Sequence, residues 1–304
     1  MRIVFIGAVE FSRHALLEAI AAEGEVVGVL TLAPEDATFH SDYADLAEVA
    51  EIHRIPVHRV KGTNSRATVD LVKSLKPDVI FVFGWSRLLS AEMLSIPPLG
   101  CIGVHPALLP QHRGRHPLIW ALVEGLDESG LTFLYLDEGA DSGDILWQER
   151  FSISLGDDAG TLYAKIKRMA SRAIREFLPR LEDGTAPRVP QDPEQATYWR
   201  KRGEEDGVID WSAPTMTTYN LIRALTRPYV GAHTYVNGSK LIVWTALLPR
   251  PQAGALPAGA PGTIVAVADE GITVLTGDGE LVLSEVHGAE TCPFMLGMAL
   301  GGGA

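Results

Sequence analysis

The chain has little of what marks several large functional classes. Cysteine is nearly absent: Cys101 and Cys292 are the only two, far apart and without metal-ligand spacing. A disulfide framework or zinc site is not expected from them, and both read as buried thiols. No apolar run approaches the roughly 18 residues of a membrane span. The short run in MRIVFIGAVEF meets a glycine turn where a signal peptide would carry small residues for cleavage. The expectation is a cytoplasmic protein with no membrane partner. Glycine is sparse in the first strand-to-helix turn, GAVEFS, so the G-x-G-x-x-G fingerprint of an NAD-dependent oxidoreductase is missing. Basic charge is also short, with 26 Lys and Arg against 38 Asp and Glu and a net charge of −12. That argues against a large polyanion, while a small anionic ligand held by a few arginines remains compatible.

What is present is an alternation. Arg2 to Ile6 is a β-branched run closed by Gly7, and FSRHALLEAIAAEG has helical apolar spacing. EVVGVLTL, PVHRV and PDVIFVFG read as further strands, with helices over DYADLAEVAEIHRI and TVDLVKSLK between them. IPPLGCIGVH ends a strand at His105, PLIWALVEGLDESG reads as a helix, LTFLYL and ILWQERFSI as strands, and TLYAKIKRMASRAIREFLPRLEDG as a long amphipathic helix. This pattern predicts an α/β fold, Rossmann-like, with a mostly parallel sheet and helices on both faces. From 185 to 204 the composition turns to Pro, Gln and charge, which reads as a linker. Beyond it lie short strands with NG and DG turns, as in a small β-barrel of OB-like type. The expected organisation is a catalytic domain over 1–184, a linker over 185–204 and a β-rich domain over 205–304. LPRPQAGALPAGAPG and Thr31–Ser41 read as mobile loops and GGGA as a frayed tail.

The stretch from Gly100 to Asp144 concentrates the chemistry. His105 stands at the carboxyl end of a strand, where open α/β sheets build their sites. Asp141 stands in the loop DEGADSGD. Brought together, they form an acid–base pair in which a carboxylate orients an imidazole and supports its charged form. Taken alone, each has a plainer reading, a structural histidine and a turn aspartate. Arg113 and Arg115, in the loop after His105, suit a phosphate or carboxylate clamp, or are simply solvated. Neither His112 nor His116 is placed for a metal site.

VHPALLP, RGRHPLIW and LDEGADSGDIL, in this order and separation, resemble the core of the formyltransferases that use 10-formyltetrahydrofolate, among them methionyl-tRNA, glycinamide ribonucleotide and amino-sugar-nucleotide formyltransferases. KRGEEDGVIDW and NLIRALTRPYVGAHTYV resemble the start of the C-terminal domain shared by the tRNA and sugar-nucleotide branches. The resemblance implies that His105 is the catalytic histidine and Asp141 its aspartate. The implied reaction is attack by an amine on the formyl carbon through a tetrahedral oxyanion, with no metal. It further implies a pterin site at Ser86, Arg87, Leu88 and Leu89 and at Asp137, Glu138, Gly139 and Ala140, held largely by main-chain groups. The family's oxyanion-holding asparagine falls on Gly103, a departure. Loss of such a donor costs on the order of 10²–10³ in rate where it is central. A backbone amide, an ordered water or His116 would have to replace it.

The amine is chosen by exclusion. Residues 205–304 hold four Arg and Lys against nine Asp and Glu, which argues against tRNA as acceptor. The glycinamide ribonucleotide enzymes resemble the first domain only. A nucleotide-linked amino sugar is the expected acceptor, small and anionic, with Arg113, Arg115 and His116 on the substrate side and a homodimer compatible. An amino-acid amine passes the same filters. The other classes are a formyltetrahydrofolate hydrolase and, because of Gly103, a non-catalytic folate-binding relative.

Overall fold

The computed structural model describes residues 1–37, 41–249, 258–288 and 294–301. Cys292, the tail from 302 and parts of both expected mobile loops, 38–40 and 250–257, lie outside the described residues. The chain divides into two compact units, one of residues 1–117, 128–152 and 163–200, the other of 118–127, 153–162 and 201–304.

The elements run β1 (Arg2–Ile6), α1 (Glu10–Ala21), β2 (Glu25–Thr31), α2 (Ala47–Ile52), β3 (Val57–Arg59), α3 (Arg66–Leu75), β4 (Val79–Val82), α4 (Ala91–Leu94) and β5 (Cys101–His105). They continue with β6 (Arg113–Gly114), α5 (Pro117–Val123), β7 (Glu128–Tyr135), β8 (Ile145–Ser152), α6 (Ala159–Glu182) and β9 (Tyr198–Trp199). In the first unit seven strands form one sheet in the order β3-β2-β1-β4-β5-β7-β8. The five strands from β3 to β5 are parallel, while β7 and β8 pair antiparallel. The order reverses between β1 and β4, so the carboxyl ends of β1, β4 and β5 line the crevice where such sheets bind ligands.

Alternation along the strands decides what each face buries. Phe5, Phe81, Phe83 and Phe133 lie fully buried with Phe177 of α6, their rings 5.0 to 5.9 Å apart in edge-on, tilted and stacked pairs. Val4, Ile6, Leu30, Ile80, Val82 and Cys101 face the opposite side, against Val69, Val72 and Met93 of α3 and α4. Burying each such side chain contributes about 1.5–3 kcal/mol. Both faces are therefore covered, as a parallel sheet requires.

The helix expected over PLIWALVEGLDESG is shorter than its spacing suggests. Gly125 takes φ +66°, with Leu126 N–H returned to Ala121 O at 2.9 Å, and the chain is already extended at Glu128. A left-handed glycine just past the last turn is a helix stop.

The second unit carries α7 (Thr215–Leu225) and an antiparallel sheet of β10 (Ala232–Val236), β11 (Ser239–Leu247), β12 (Ile264–Ala268), β13 (Gly271–Leu275) and β14 (Glu280–His287), in the order β10-β11-β14-β13-β12. Asn237 and Gly238 join β10 to β11 with φ of +48° and +79°, the hairpin turn their dipeptide predicts. Residues Met298 to Gly301 bridge the two edges: Met298 O accepts from Ile264 N, Leu300 N donates to Gly262 O, and Gly301 N donates to Tyr235 O of β10. Part of each sheet edge is covered in this way, and the β-rich second domain expected is an antiparallel sheet. Among the described residues no helix is long and apolar enough to cross a membrane.

Candidate active site

β5 delivers His105 to the end of the sheet, buried at 4% exposure. Its Nε2 lies 2.7 Å from His112 O. A carbonyl oxygen only accepts, so the neutral ring keeps its proton on Nε2 and leaves Nδ1 as the basic atom. Nδ1 stands 3.6 Å from Asp141 Oδ2. The two residues singled out in the sequence therefore face one another, with the carboxylate placed to support positive charge on the ring.

Asp141 adopts φ +55° in the loop after β7. Its Oδ2 accepts from Gly114 N at 2.9 Å. Gly114 itself has φ +108°, and a Cβ there would lie 2.3 Å from Trp199 O. Only glycine lets β6 approach β9 so closely.

Gly103 shares the face of β5 with His105, two residues away. A Cβ on it would come within 2.4 Å of Leu136 Cδ2 and 3.0 Å of its Cγ. The place of an asparagine is thus filled by an apolar side chain from the segment that follows β7.

The two arginines after His105 have different surroundings. Arg113 is 4% exposed, donating through Nε and Nη2 to Gln191 Oε1 at 3.2 and 2.7 Å and through Nη1 to the Tyr198 hydroxyl at 3.1 Å. Arg115 donates through Nη1 to Ser86 O at 2.7 Å, tying the loop after His105 to the loop after β4. His116, half-buried, has φ +56°.

In the loop after β4, Leu89 is buried while Arg87 and Leu88 are exposed. Leu88 O accepts from Asn64 Nδ2 at 2.9 Å, and Arg87 Nη1 donates to Lys61 O. Asp137 Oδ1 accepts from Gly139 N at 2.9 Å and from the Ser142 hydroxyl at 2.8 Å, folding Asp137–Ala140 into an exposed turn. Among the described residues no group of three or more His, Cys, Asp and Glu is arranged to hold a metal ion.

The stretch read as a linker contributes side chains that composition did not reveal. Gln191 Nε2 donates to Asp141 O and Gly143 O at 2.9 and 2.6 Å. Thr197 Oγ1 accepts from His112 N at 2.8 Å, and Trp199 stacks on the His112 ring at 4.0 Å and 17°. Arg113 and Gly114 pair with Tyr198 and Trp199 as parallel strands. Residues 185–200 are thus folded into the first unit. The only sequence signal was the TYW triplet, a β-prone island in a polar run.

Comparison with known proteins bears on this arrangement. Residues 1–178 match the formyl transferase family and residues 202–293 the formyl transferase C-terminal domain. The methionyl-tRNA formyltransferase of Acetivibrio thermocellus is 35% identical over 94% of this chain and 92% of its own length. That of Symbiobacterium thermophilum is 37% identical over 94% and 88%. In fold, the N-formyltransferase of Helicobacter canadensis, solved with folinic acid and dTDP-3-aminofucose, superposes with a TM-score of 0.69 at 18% identity, over 93% of this chain and 98% of that one. HypX of Aquifex aeolicus with tetrahydrofolic acid superposes at 0.66 and 22% identity, over 94% of this chain, which spans only 44% of that longer protein. The charge-based expectation against tRNA is overturned by the two methionyl-tRNA formyltransferases, which match nearly end to end. Net charge is a sum over the whole surface, whereas nucleic acid is recognised by local groups.

Proposed function

The chain belongs to the formyl transferase family, and on that footing we propose that it transfers a formyl group from 10-formyltetrahydrofolate to the primary amine of methionyl-tRNA. The observation that carries the acceptor is the 35–37% identity to methionyl-tRNA formyltransferases over 94% of the chain, with the C-terminal domain included.

The residues present suit the folate donor. Leu88 offers an exposed apolar surface, and the turn at Asp137–Ala140 exposes main-chain groups, as a flat heterocycle bound by backbone would need. When bound, the donor supplies the formyl carbon. His105 Nδ1 accepts the proton released as the amine nitrogen bonds to that carbon, and returns it to the folate nitrogen as the old carbon–nitrogen bond breaks. Asp141 stabilises the imidazolium between the two transfers. The oxyanion receives no side-chain amide from position 103, where Leu136 lies instead, so a donor from elsewhere in the site serves it.

A second acceptor is favoured by one observation. The N-formyltransferase of Helicobacter canadensis, solved with dTDP-3-aminofucose, shares this fold over 93% of the chain and 98% of its own length, which makes a nucleotide-linked amino sugar the second reading. Incubation with 10-formyltetrahydrofolate, followed by folate absorbance, separates the readings when methionyl-tRNA and a dTDP-linked amino sugar are offered in parallel. Turnover with methionyl-tRNA alone is the expected result. Turnover with the sugar nucleotide alone replaces it with the second reading, and turnover that needs no amine ends the transferase assignment.

A further inference from the structure

Asp141 is held in the left-handed backbone region at φ +55°, which L-residues other than Gly, Asn and Asp rarely adopt, and contacts in the fold hold it there. The enforcing contacts come from two directions. Gly114 N holds the carboxylate, and the Gln191 carboxamide holds the main chain, donating to the carbonyls of Asp141 and Gly143 at 2.9 and 2.6 Å. The other end of the same carboxamide is gripped by Arg113 through Nε and Nη2. Arg113 and Gly114 are consecutive, so a single two-residue strand fixes Asp141 at both its side chain and its backbone. A guanidinium on the oxygen of an amide also polarises it and strengthens its N–H donors.

We propose that Gln191 is a positioning residue for the His105–Asp141 pair, setting the carboxylate at its distance from the imidazole by clamping the backbone on either side of Ser142. The proposal rests on the formyl-transfer reading above and adds a residue from outside the motifs that carry it. A carboxamide suits the task because it presents an acceptor to Arg113 and two donors to the carbonyls in one plane. Gln191→Glu separates the two functions. It keeps the acceptor for Arg113, removes both donors and sets a carboxylate oxygen against two carbonyl oxygens.

The test is steady-state transfer from 10-formyltetrahydrofolate to whichever of methionyl-tRNA and the dTDP-linked amino sugar the native enzyme turns over. Gln191→Glu is expected to lower kcat by about 10- to 100-fold, as misplacement of a catalytic group by about 1 Å does, with KM for the folate within about twofold. In an Asp141→Asn background the same change is expected to cost little more, because groups acting as one unit are not additive. Gln191→Asn, which keeps both donors on a shorter stem, is expected to recover part of the loss. Native kcat in Gln191→Glu, a loss confined to KM or to thermal stability, or full additivity with Asp141→Asn overturns the proposal while leaving the transferase reading intact. Native turnover in Asp141→Asn, or no turnover of either acceptor, overturns the functional reading and this proposal with it.

Discussion

Leu136 occupies the space that any side chain on Gly103 would need, its Cδ2 lying 2.4 Å from where that Cβ would stand. Restoring the asparagine expected by resemblance is therefore not a simple gain of a donor. Gly103→Asn is expected to destabilise the protein by about 1–3 kcal/mol through overpacking, with no rise in turnover. Adding Leu136→Ala should relieve the overlap, so the double variant loses less stability than the sum of the two single changes. Denaturant melts of all three variants, analysed as a cycle, check this.

His105→Ala should reduce kcat by about 10²–10⁴, the usual contribution of a positioned acid–base group. Asp141→Asn is the more informative change. Asparagine tolerates a left-handed backbone and its amide oxygen can still accept from Gly114 N, so the loop survives while the charge beside the imidazole is lost. A fall in kcat with unchanged circular dichroism is the expected outcome.

Gly114→Ala should lower stability by at least about 1–2 kcal/mol, since φ +108° is strained for any L-residue and its Cβ would strike Trp199 O. The measurable sign is a lower denaturant midpoint at unchanged slope.

Burial pushes the His14 imidazole below its ordinary value of 6.5, against the raising effect of its contact with Lys167 O at 2.9 Å. Burial, followed by the charge of Lys240, moves His233 the same way. A histidine lowered in the folded state binds fewer protons than in the unfolded one. Its stability is present above pH 6.5 and is lost as pH falls through that value toward the folded one. Stability should therefore decline on acidification from pH 7, and His14→Asn should flatten part of that decline in melts recorded across the range.

Burial pushes the Cys101 thiol up to about 12. The thiolate is the reactive form, so in a Cys292→Ser variant the native protein should resist iodoacetamide at pH 8 and be alkylated at Cys101 only after unfolding. Mass spectrometry of the two samples decides.

How far the residues foretold this arrangement depends on the range of the interaction concerned. The strands around Val4, Phe81 and Ile102 were legible because burial on both faces leaves continuous apolar runs. Asn237–Gly238 was legible because its turn needs positive φ. His105 and Asp141 could be paired from their places at strand ends. The direction of β7 was not, since a strand buried along nearly its whole length reads the same either way. Leu136 over Gly103 is a packing event between segments with no common pattern. Gln191 and Trp199 were hidden in a polar run whose partners lie 48 to 87 residues earlier, a separation that no local period records.

Pairing between β6 and β9 also sets an order on synthesis. A nascent chain that has delivered α6 to the outside of the ribosome already holds His105 and Asp141, but Gln191, Thr197 and Trp199 are still to come. Domains fold largely as their segments emerge, so the sheet can form well before its reactive end is braced. The first unit is in this sense completed from behind: residues 185–200, the last of it to emerge, tie down the loops that carry His112 and Asp141.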